Sequence, residues 1–209
     1  MPHLDHLAVF CSVDAPEAAA LLALGLAIDV RRQHAGQGTA NACIGFADGY
    51  LELLWLHDEQ AARDPMVKPL GLSERARWRA TGASPFAIAL RPAAPAEPPP
   101  FPSWDYRPTF LPAGMRLAMA CNSGVLGEPL LFQLDRPFVP LGGSHRLANR
   151  RLVTATVTIR DLAPMSLLHE VAVPGLVLRD GNEPLLELEF DAARATADLR
   201  PGLPLVLRW

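Results

Sequence analysis

The order of strands and helices along the chain repeats, and this repeat limits the folds open to it. Residues 4–57 and 151–209 each have the pattern strand, helix and three strands. Residues 85–135 follow the same order, with a proline-rich stretch at 92–102 in place of the helix. None of these units can bury a sheet face alone, so they are expected to pair. The sequence predicts an α+β fold in which repeated βαβββ units form a curved, mostly antiparallel sheet around a cleft.

A hairpin in the first unit carries an acidic residue at an unusual position. Asp48-Gly49 stands between two apolar runs, which is a strong hairpin signal. Side chains alternate along a strand, and both faces of the second hairpin strand are mostly apolar. The two sets are Leu51, Leu53 and Trp55 on one face, and Tyr50, Glu52 and Leu54 on the other. Glu52 is therefore expected inside or at the mouth of a cavity, where a carboxylate needs a cation, a proton or several donors.

Charge and composition exclude some functions. The 209 residues carry a formal charge of -3 and no basic tract, which argues against nucleic acid as a partner. The three cysteines are far apart, so a zinc cluster or a disulfide framework is not expected. The N-terminus has no signal-peptide pattern and no apolar run is long enough to cross a membrane, so a cytoplasmic location is expected by default. We expect one domain over residues 1–209, with residues 58–84 as a linker between units.

Three short motifs resemble a known superfamily. They are Asp5-His6-Leu7-Ala8-Val9 on the first strand, Gly38-Thr39-Ala40-Asn41 at the start of the hairpin, and Tyr50-Leu51-Glu52-Leu53 on the fourth strand. In this order, on a βαβββ repeat, they resemble the vicinal oxygen chelate superfamily and, within it, the glyoxalase-like domain proteins. The resemblance implies a cleft between two units that binds a small molecule. Dimers are common among these relatives, so a homodimer is compatible with it.

The resemblance also implies a metal site, from which this chain departs. The superfamily's metal enzymes take one histidine and one glutamate from each of two units. Here the first unit supplies His6 and Glu52 as ligands for a divalent ion such as Zn, Ni, Mn or Fe. Aligning the second unit places Ala87 opposite His6, and Phe132 or Gln133 opposite Glu52. Gln133 is the polar choice, and either Gln133 or water would have to complete the ligand set.

Further residues are candidates for the site. Asn41 and Gln37 are expected to bind a polar ligand or Glu52, or else to serve the turn before the hairpin. His145 lies in a Gly-Gly-Ser-His loop and is a candidate for the missing histidine, although most loop histidines are exposed. His34 and His57 follow strand ends and are expected to be exposed. Glu187, which matches Glu52 in the third unit, is a reserve candidate on a half-solvated strand.

Three functional hypotheses follow from these residues. The first is metal-assisted isomerase, lyase or dioxygenase-type chemistry on a small oxygen-bearing molecule, with Glu52 and His6 as catalytic residues. His6 and Glu52 without a metal would instead be a general base and its orienting partner. The second hypothesis is a non-catalytic protein that binds or sequesters a small molecule in a cleft with a degenerate metal site. The third is a structural protein that assembles through its sheet edges or Trp209.

Overall fold

The computed structural model describes residues 1–136 and 138–209 and contains two sheets. The first sheet is built from the first two units. In chain order its strands are β1 (His3–Phe10), β2 (Val30–His34), β3 (Thr39–Phe46), β4 (Gly49–Leu56), β5 (Phe86–Arg91), β6 (Ser103–Tyr106), β7 (Leu117–Ala120) and β8 (Leu130–Leu134). They lie side by side in the order β2-β3-β4-β1-β5-β8-β7-β6. The predicted hairpin is confirmed, with Phe46 opposite Gly49 across its turn.

The first two units share one strand plan, which confirms the predicted repeat between them. In each unit the first strand runs parallel to the fourth, as β1 does to β4 and β5 to β8. The units join where β1 and β5 pair antiparallel, with His6 opposite Ala89. The eight strands thus form one continuous sheet, and its concave face carries the side chains of both units.

Residues 151–209 form a separate sheet with a different plan. Its strands are β9 (Leu152–Arg160), β10 (Leu176–Gly181), β11 (Leu185–Phe190), β12 (Thr196–Asp198) and β13 (Leu205–Arg208), in the order β10-β9-β11-β13-β12. The expected third βαβββ repeat is therefore wrong, because β11 lies between β9 and β13. The helix that the plan requires is reduced to a 3-10 turn at Leu167–Glu170, in a segment interrupted by Pro164 and Pro174.

The second sheet covers the face of the first sheet that points away from the cleft. One hydrophobic core contains Leu7 and Leu53 of the first sheet together with Val157 and Leu188 of the second. Phe46 and Phe190 meet in this core with ring centroids 5.2 Å apart and planes at 78°. This packing explains why the apolar run of β4 has no solvated face: one face lies in the core and the other faces the cleft.

Short helices lie outside the sheets, and none of the described helices is long and apolar enough to cross a membrane. They are α1 (Ala18–Ala23), α2 (Glu59–Ala62), α3 (Leu72–Ala76) and α4 (Trp78–Thr81), with a 3-10 turn at Lys68–Leu70. The 58–84 linker packs on the concave side of the first sheet, where Leu70 and Leu72 join a second apolar cluster with Phe10 and Leu54. The linker thus closes one end of the cleft.

A buried arginine holds the linker to the second unit. The Arg75 guanidinium is fully buried and donates hydrogen bonds to backbone carbonyls, among them those of Glu128 at 2.6 Å, Leu70 at 3.1 Å and Ser123 at 3.2 Å. Burial lowers the pKa of Arg75 to about 10, which still leaves it charged at neutral pH. Its partners are carbonyl oxygens, which satisfy the buried cation.

Candidate functional site

A cavity of about 130 Å³ lies on the concave face of the first sheet, between the two units. The first unit contributes mostly polar side chains and the second unit mostly apolar ones. The polar side chains of the first unit in the cavity wall are His6, Arg32, His34, Gln37, Asn41 and Glu52. The apolar side chains of β7 and β8 in the wall are Leu117, Met119, Leu130, Phe132 and Leu134. A ligand here would meet hydrogen-bonding groups on one side and hydrocarbon on the other.

His6 stands at the centre of the polar wall, held on two sides. Its Nδ1 lies 2.7 Å from Oδ1 of buried Asp5, and its ring stacks on Tyr50 with centroids 4.2 Å apart. With the proton on Nδ1 donated to Asp5, Nε2 points toward Glu52, whose Oε2 is 3.5 Å away. His6 and Glu52 are each only 6% exposed. The imidazole and the carboxylate therefore lie together in an enclosed space.

Asn41 fixes the other oxygen of Glu52. The backbone N–H of Arg32 donates to Oδ1 of Asn41 at 3.1 Å, which sets the orientation of the amide. The Asn41 Nδ2 group then donates to Oε1 of Glu52 at 2.5 Å and lies 3.3 Å from Nε2 of His34. One carboxylate oxygen of Glu52 is thus held by a neutral donor, while Oε2 faces His6.

The hydrogen-bond chain continues from His34 across the cleft to the second unit. His34 Nδ1 lies 2.8 Å from the hydroxyl of Thr39, which also accepts a hydrogen bond from Gln37 Nε2 at 2.8 Å. The hydroxyl of Tyr106, on β6, donates to Oε1 of Gln37 at 3.0 Å. Asn41 therefore acts on Glu52, and Gln37 ties the start of the hairpin to the second unit.

His34 was expected to be exposed, and this expectation is wrong. Its strand β2 is the edge of the sheet, but Phe110 packs against the ring with centroids 4.6 Å apart. Burial lowers the pKa of His34 below its usual value, which keeps Nε2 free to accept from Asn41. Burial, reinforced by the charge of Glu52, raises the pKa of Tyr50. The alternating pattern of β2 gave no signal for this burial, because His34 shares a face with the exposed Arg32.

The described residues of the second unit place no His, Cys, Asp or Glu side chain in the cavity wall. Phe132 lies opposite Ala89, on the cavity face, and its ring meets the edge of His6 at 5.8 Å between centroids. Gln133 points to the other face and donates to the carbonyl of Glu97 at 2.9 Å, so its expected role in the ligand set is wrong. Among the described residues no three His, Cys, Asp or Glu side chains converge as metal ligands.

The donor set therefore does not fit a resident divalent metal. The separation of His6 and Glu52 suits two ligands of one ion, but zinc sites use at least three protein ligands. The positions that would supply the others hold Ala87 and Phe132. Because side chains alternate between the two faces of a strand, Gln133 could point into the cavity only if the register of β8 shifted by one residue.

His145 and Glu187 lie away from the cavity. Nε2 of His145 is 3.1 Å from Asp29, which also accepts the backbone N–H of Gly45 at 2.7 Å. The expectation that His145 replaces the missing histidine is therefore wrong, since it ties its loop to the far end of the hairpin. Glu187 forms ion pairs with Arg179 and Arg208 on the second sheet. The contacts of Glu187 are thus ion pairs with arginines of the second sheet, and they do not involve the cavity.

Comparison with known proteins finds one family profile and several solved structures that are similar to parts or all of the chain. Residues 4–98 match the family profile of a glyoxalase-like domain. A crystal structure of a hypothetical protein from Staphylococcus aureus superimposes with a TM-score of 0.60 at 10% identity, over 100% of this chain and 98% of that chain. No curated protein matches the chain.

Two methylmalonyl-CoA epimerase structures are also similar over part of the chain. One, in complex with methylmalonyl-CoA and NH4+, has a TM-score of 0.43 at 17% identity, over 64% of this chain and 94% of that chain. A variant of the Streptomyces coelicolor epimerase, in complex with 2-nitronate-propionyl-CoA, has a TM-score of 0.42 at 18% identity, over 66% and 98%. Residues 4–98, a little under half of the chain, are therefore similar to a glyoxalase-like domain, and the paired βαβββ units of the first sheet agree with the fold of that match.

Proposed function

We propose that the cavity binds a small organic molecule, with its polar end against Glu52 and His6 and without a resident metal ion. The observation that carries this proposal is the state of the Glu52 carboxylate. It is buried, one oxygen accepts from Asn41, and the other faces His6 and the cavity. A hydroxyl or amine of a ligand would donate to this second oxygen. Cavities that bind small molecules combine an apolar lining with a few placed polar groups, as this one does.

Metal-assisted isomerase, lyase or dioxygenase chemistry, which the resemblance implies, has weaker support. His6 and Glu52 are two donors where a retained ion needs three or four. The apolar wall of the second unit favours a ligand with a hydrocarbon part instead. The proposal therefore assigns the polar wall to direct hydrogen bonding with the ligand.

A thermal-shift screen tests this proposal. Small hydroxy, amino and oxo compounds would be added to the protein with and without Mn, Ni, Zn or Fe. We expect organic compounds to raise Tm independently of metal, and Glu52→Gln to abolish the rise. Glu189→Gln is the matched control, since Glu189 is an exposed glutamate on β11. Stabilisation by metal alone, or by organic compounds equally in Glu52→Gln, would overturn the proposal.

A second candidate function is proton transfer on the bound molecule. It is favoured by the alignment of Asp5, His6 and Glu52, in which a buried carboxylate orients an imidazole whose other nitrogen faces the cavity. A general base must lie within hydrogen-bond reach of the proton that it removes, and Glu52 meets this condition for a ligand in the cavity. NMR in D2O would detect exchange of a ligand C–H for deuterium. We expect exchange in the wild-type protein that is lost in Glu52→Gln. A ligand that binds without any exchange would contradict proton transfer and support binding only.

A further inference from the structure

The cavity opens into a larger outer chamber of about 680 Å³. The residues that line both spaces mark their junction: Arg32, His34, Tyr50, Phe110, Leu111 and Arg136. Asp5, Val30 and Gln33 contribute to the remaining wall from β1 and β2, and the rest of it is apolar and comes from two loops. Its apolar side chains are Pro112, Met115, Phe138, Val139, Pro140 and Leu141.

The two spaces differ in what they can hold. Sites for drug-sized ligands enclose roughly 300–1,000 Å³. The outer chamber lies within this range, whereas the inner cavity has room for only one end of such a molecule. A ligand whose polar end reaches Glu52 would therefore leave most of its body in the outer chamber, against hydrocarbon.

Two arginines stand at the junction. Arg32 lies on β2 directly opposite Asn41, so both side chains share the concave face. Arg136 follows the end of β8 on the other side of the cleft. In the part of the chain that the structure describes, neither arginine has a carboxylate within ion-pair distance, although other surface arginines do. Guanidinium groups bind carboxylates and phosphates through paired hydrogen bonds.

We propose that the ligand is an organic anion with an apolar tail, its carboxylate or phosphate bound by Arg32 and Arg136 and its tail in the outer chamber. This inference rests on the proposed function, because the same molecule places a hydroxyl or similar donor against Glu52. Two arginines face the junction from opposite sides, and most of the remaining wall is apolar, with buried Asp5 as its one acid among the described residues. This combination favours an anion with hydrocarbon attached.

A series of eight-carbon probes tests each part separately. The compounds are 1-octanol, octanoate, octyl phosphate and 2-hydroxyoctanoate, with Kd measured by calorimetry on the full chain. We expect octanoate or octyl phosphate to bind at least about tenfold more tightly than 1-octanol, as charge-assisted hydrogen bonds require. The tighter of these two anions identifies the head group. 2-Hydroxyoctanoate should bind more tightly than octanoate, through Glu52.

Variants separate this inference from the proposed function. Arg32→Gln with Arg136→Gln should remove the preference for anions over 1-octanol, and Arg31→Gln should keep it. Arg31 is the matched control because its side chain lies over Trp55, on the other face of β2. If the double variant keeps the preference while Glu52→Gln loses the gain from the hydroxyl, the anion site is wrong and the proposed function stands. If the hydroxyl gain survives Glu52→Gln, the proposed function fails.

A second copy of the chain is the competing occupant of the outer chamber. Light scattering would then give the mass of a dimer, and octanoate would shift it toward monomer without saturating a site on each chain. That result would overturn the inference. We expect one octanoate per chain and an unchanged mass on binding.

Discussion

At the scale of single residues, the site depends on how one amide is oriented. Asn41 accepts from the backbone of Arg32, so its two Nδ2 protons are directed at Glu52 and at His34. Glu52 is thereby held by a neutral donor, and its free oxygen is left for His6 and a ligand. The polar wall is thus positioned by main-chain geometry.

His34 should make stability depend on pH. Burial lowers the pKa of folded His34 below the unfolded value of about 6.5, so the unfolded chain binds the proton first. The free energy of unfolding should then fall as pH drops from about 6.5 toward the folded pKa. Urea denaturation at several pH values should show this slope, and His34→Gln should reduce it. The exposed His57 is the control, and a slope unchanged in His34→Gln would contradict this.

Asn41→Ala should weaken both the fold and ligand binding. Removing the amide leaves Oε1 of Glu52 without its donor, and a lost hydrogen bond to a charged group costs about 1.5–3 kcal/mol. We expect the Kd of any ligand found in the screen to rise roughly tenfold or more. Asn41→Asp provides the contrast, since a second carboxylate beside Glu52 repels it. Equal affinity in wild type and both variants would remove Asn41 from the site.

At the level of strands and helices, the sequence predicted local features better than it predicted which distant strands pair. The Asp-Gly turn and the alternation of β4 correctly separated Glu52 from Leu51 and Leu53. The burial of His34 could not be predicted, because the loop bearing Phe110 lies far away in the sequence. The plan of residues 151–209 was also missed, since strand order depends on which edges pair, and alternation does not specify this.

The attachment of the 58–84 linker to the second unit should depend on Arg75. Its guanidinium serves several backbone carbonyls of the 121–128 segment, and these would be left unpaired and buried by a shorter side chain. We expect Arg75→Ala to cost about 3 kcal/mol or more in the free energy of unfolding. Arg77 lies two residues further along the chain and is exposed, so Arg77→Ala should cost under about 0.5 kcal/mol. Equal urea midpoints for the two variants would contradict the assignment.

The second unit should accept a metal once a donor is restored. Phe132 stands on the cavity face beside His6, where a third ligand would have to come from. We expect Phe132→His to gain a rise in Tm with Zn or Ni, and wild type to show none. Phe132→Leu is the matched control for loss of the ring. A metal-dependent rise in wild type that disappears in Glu52→Gln would contradict the donor argument.

At the scale of the whole molecule, two sheets share one core, and the cleft is the free face of the first. The Staphylococcus aureus structure covers the entire chain, so both sheets belong to the architecture that the two proteins have in common. The second sheet excludes water from the back of β4 and β1, which leaves their other face to form the cavity. The shape of the site therefore rests on packing that lies outside it.

The contact between Phe46 and Phe190 should couple the two sheets. Phe190→Ala removes a buried ring at their interface, and we expect a loss of about 3–5 kcal/mol. A double-mutant cycle with Phe46→Leu should give a coupling energy of about 0.5–1.5 kcal/mol. Urea unfolding should remain one transition for wild type. Two separate transitions, or additive mutations, would show that the sheets unfold independently.

Direct binding of an organic ligand by Glu52 and His6 can be measured by native mass spectrometry of the protein saturated with the best compound from the screen. We predict an adduct with the mass of that compound, one per chain and free of metal, that is absent from Glu52→Gln and retained in Glu189→Gln. One zinc, nickel, manganese or iron ion per chain, or an organic adduct that persists in Glu52→Gln, would contradict the account.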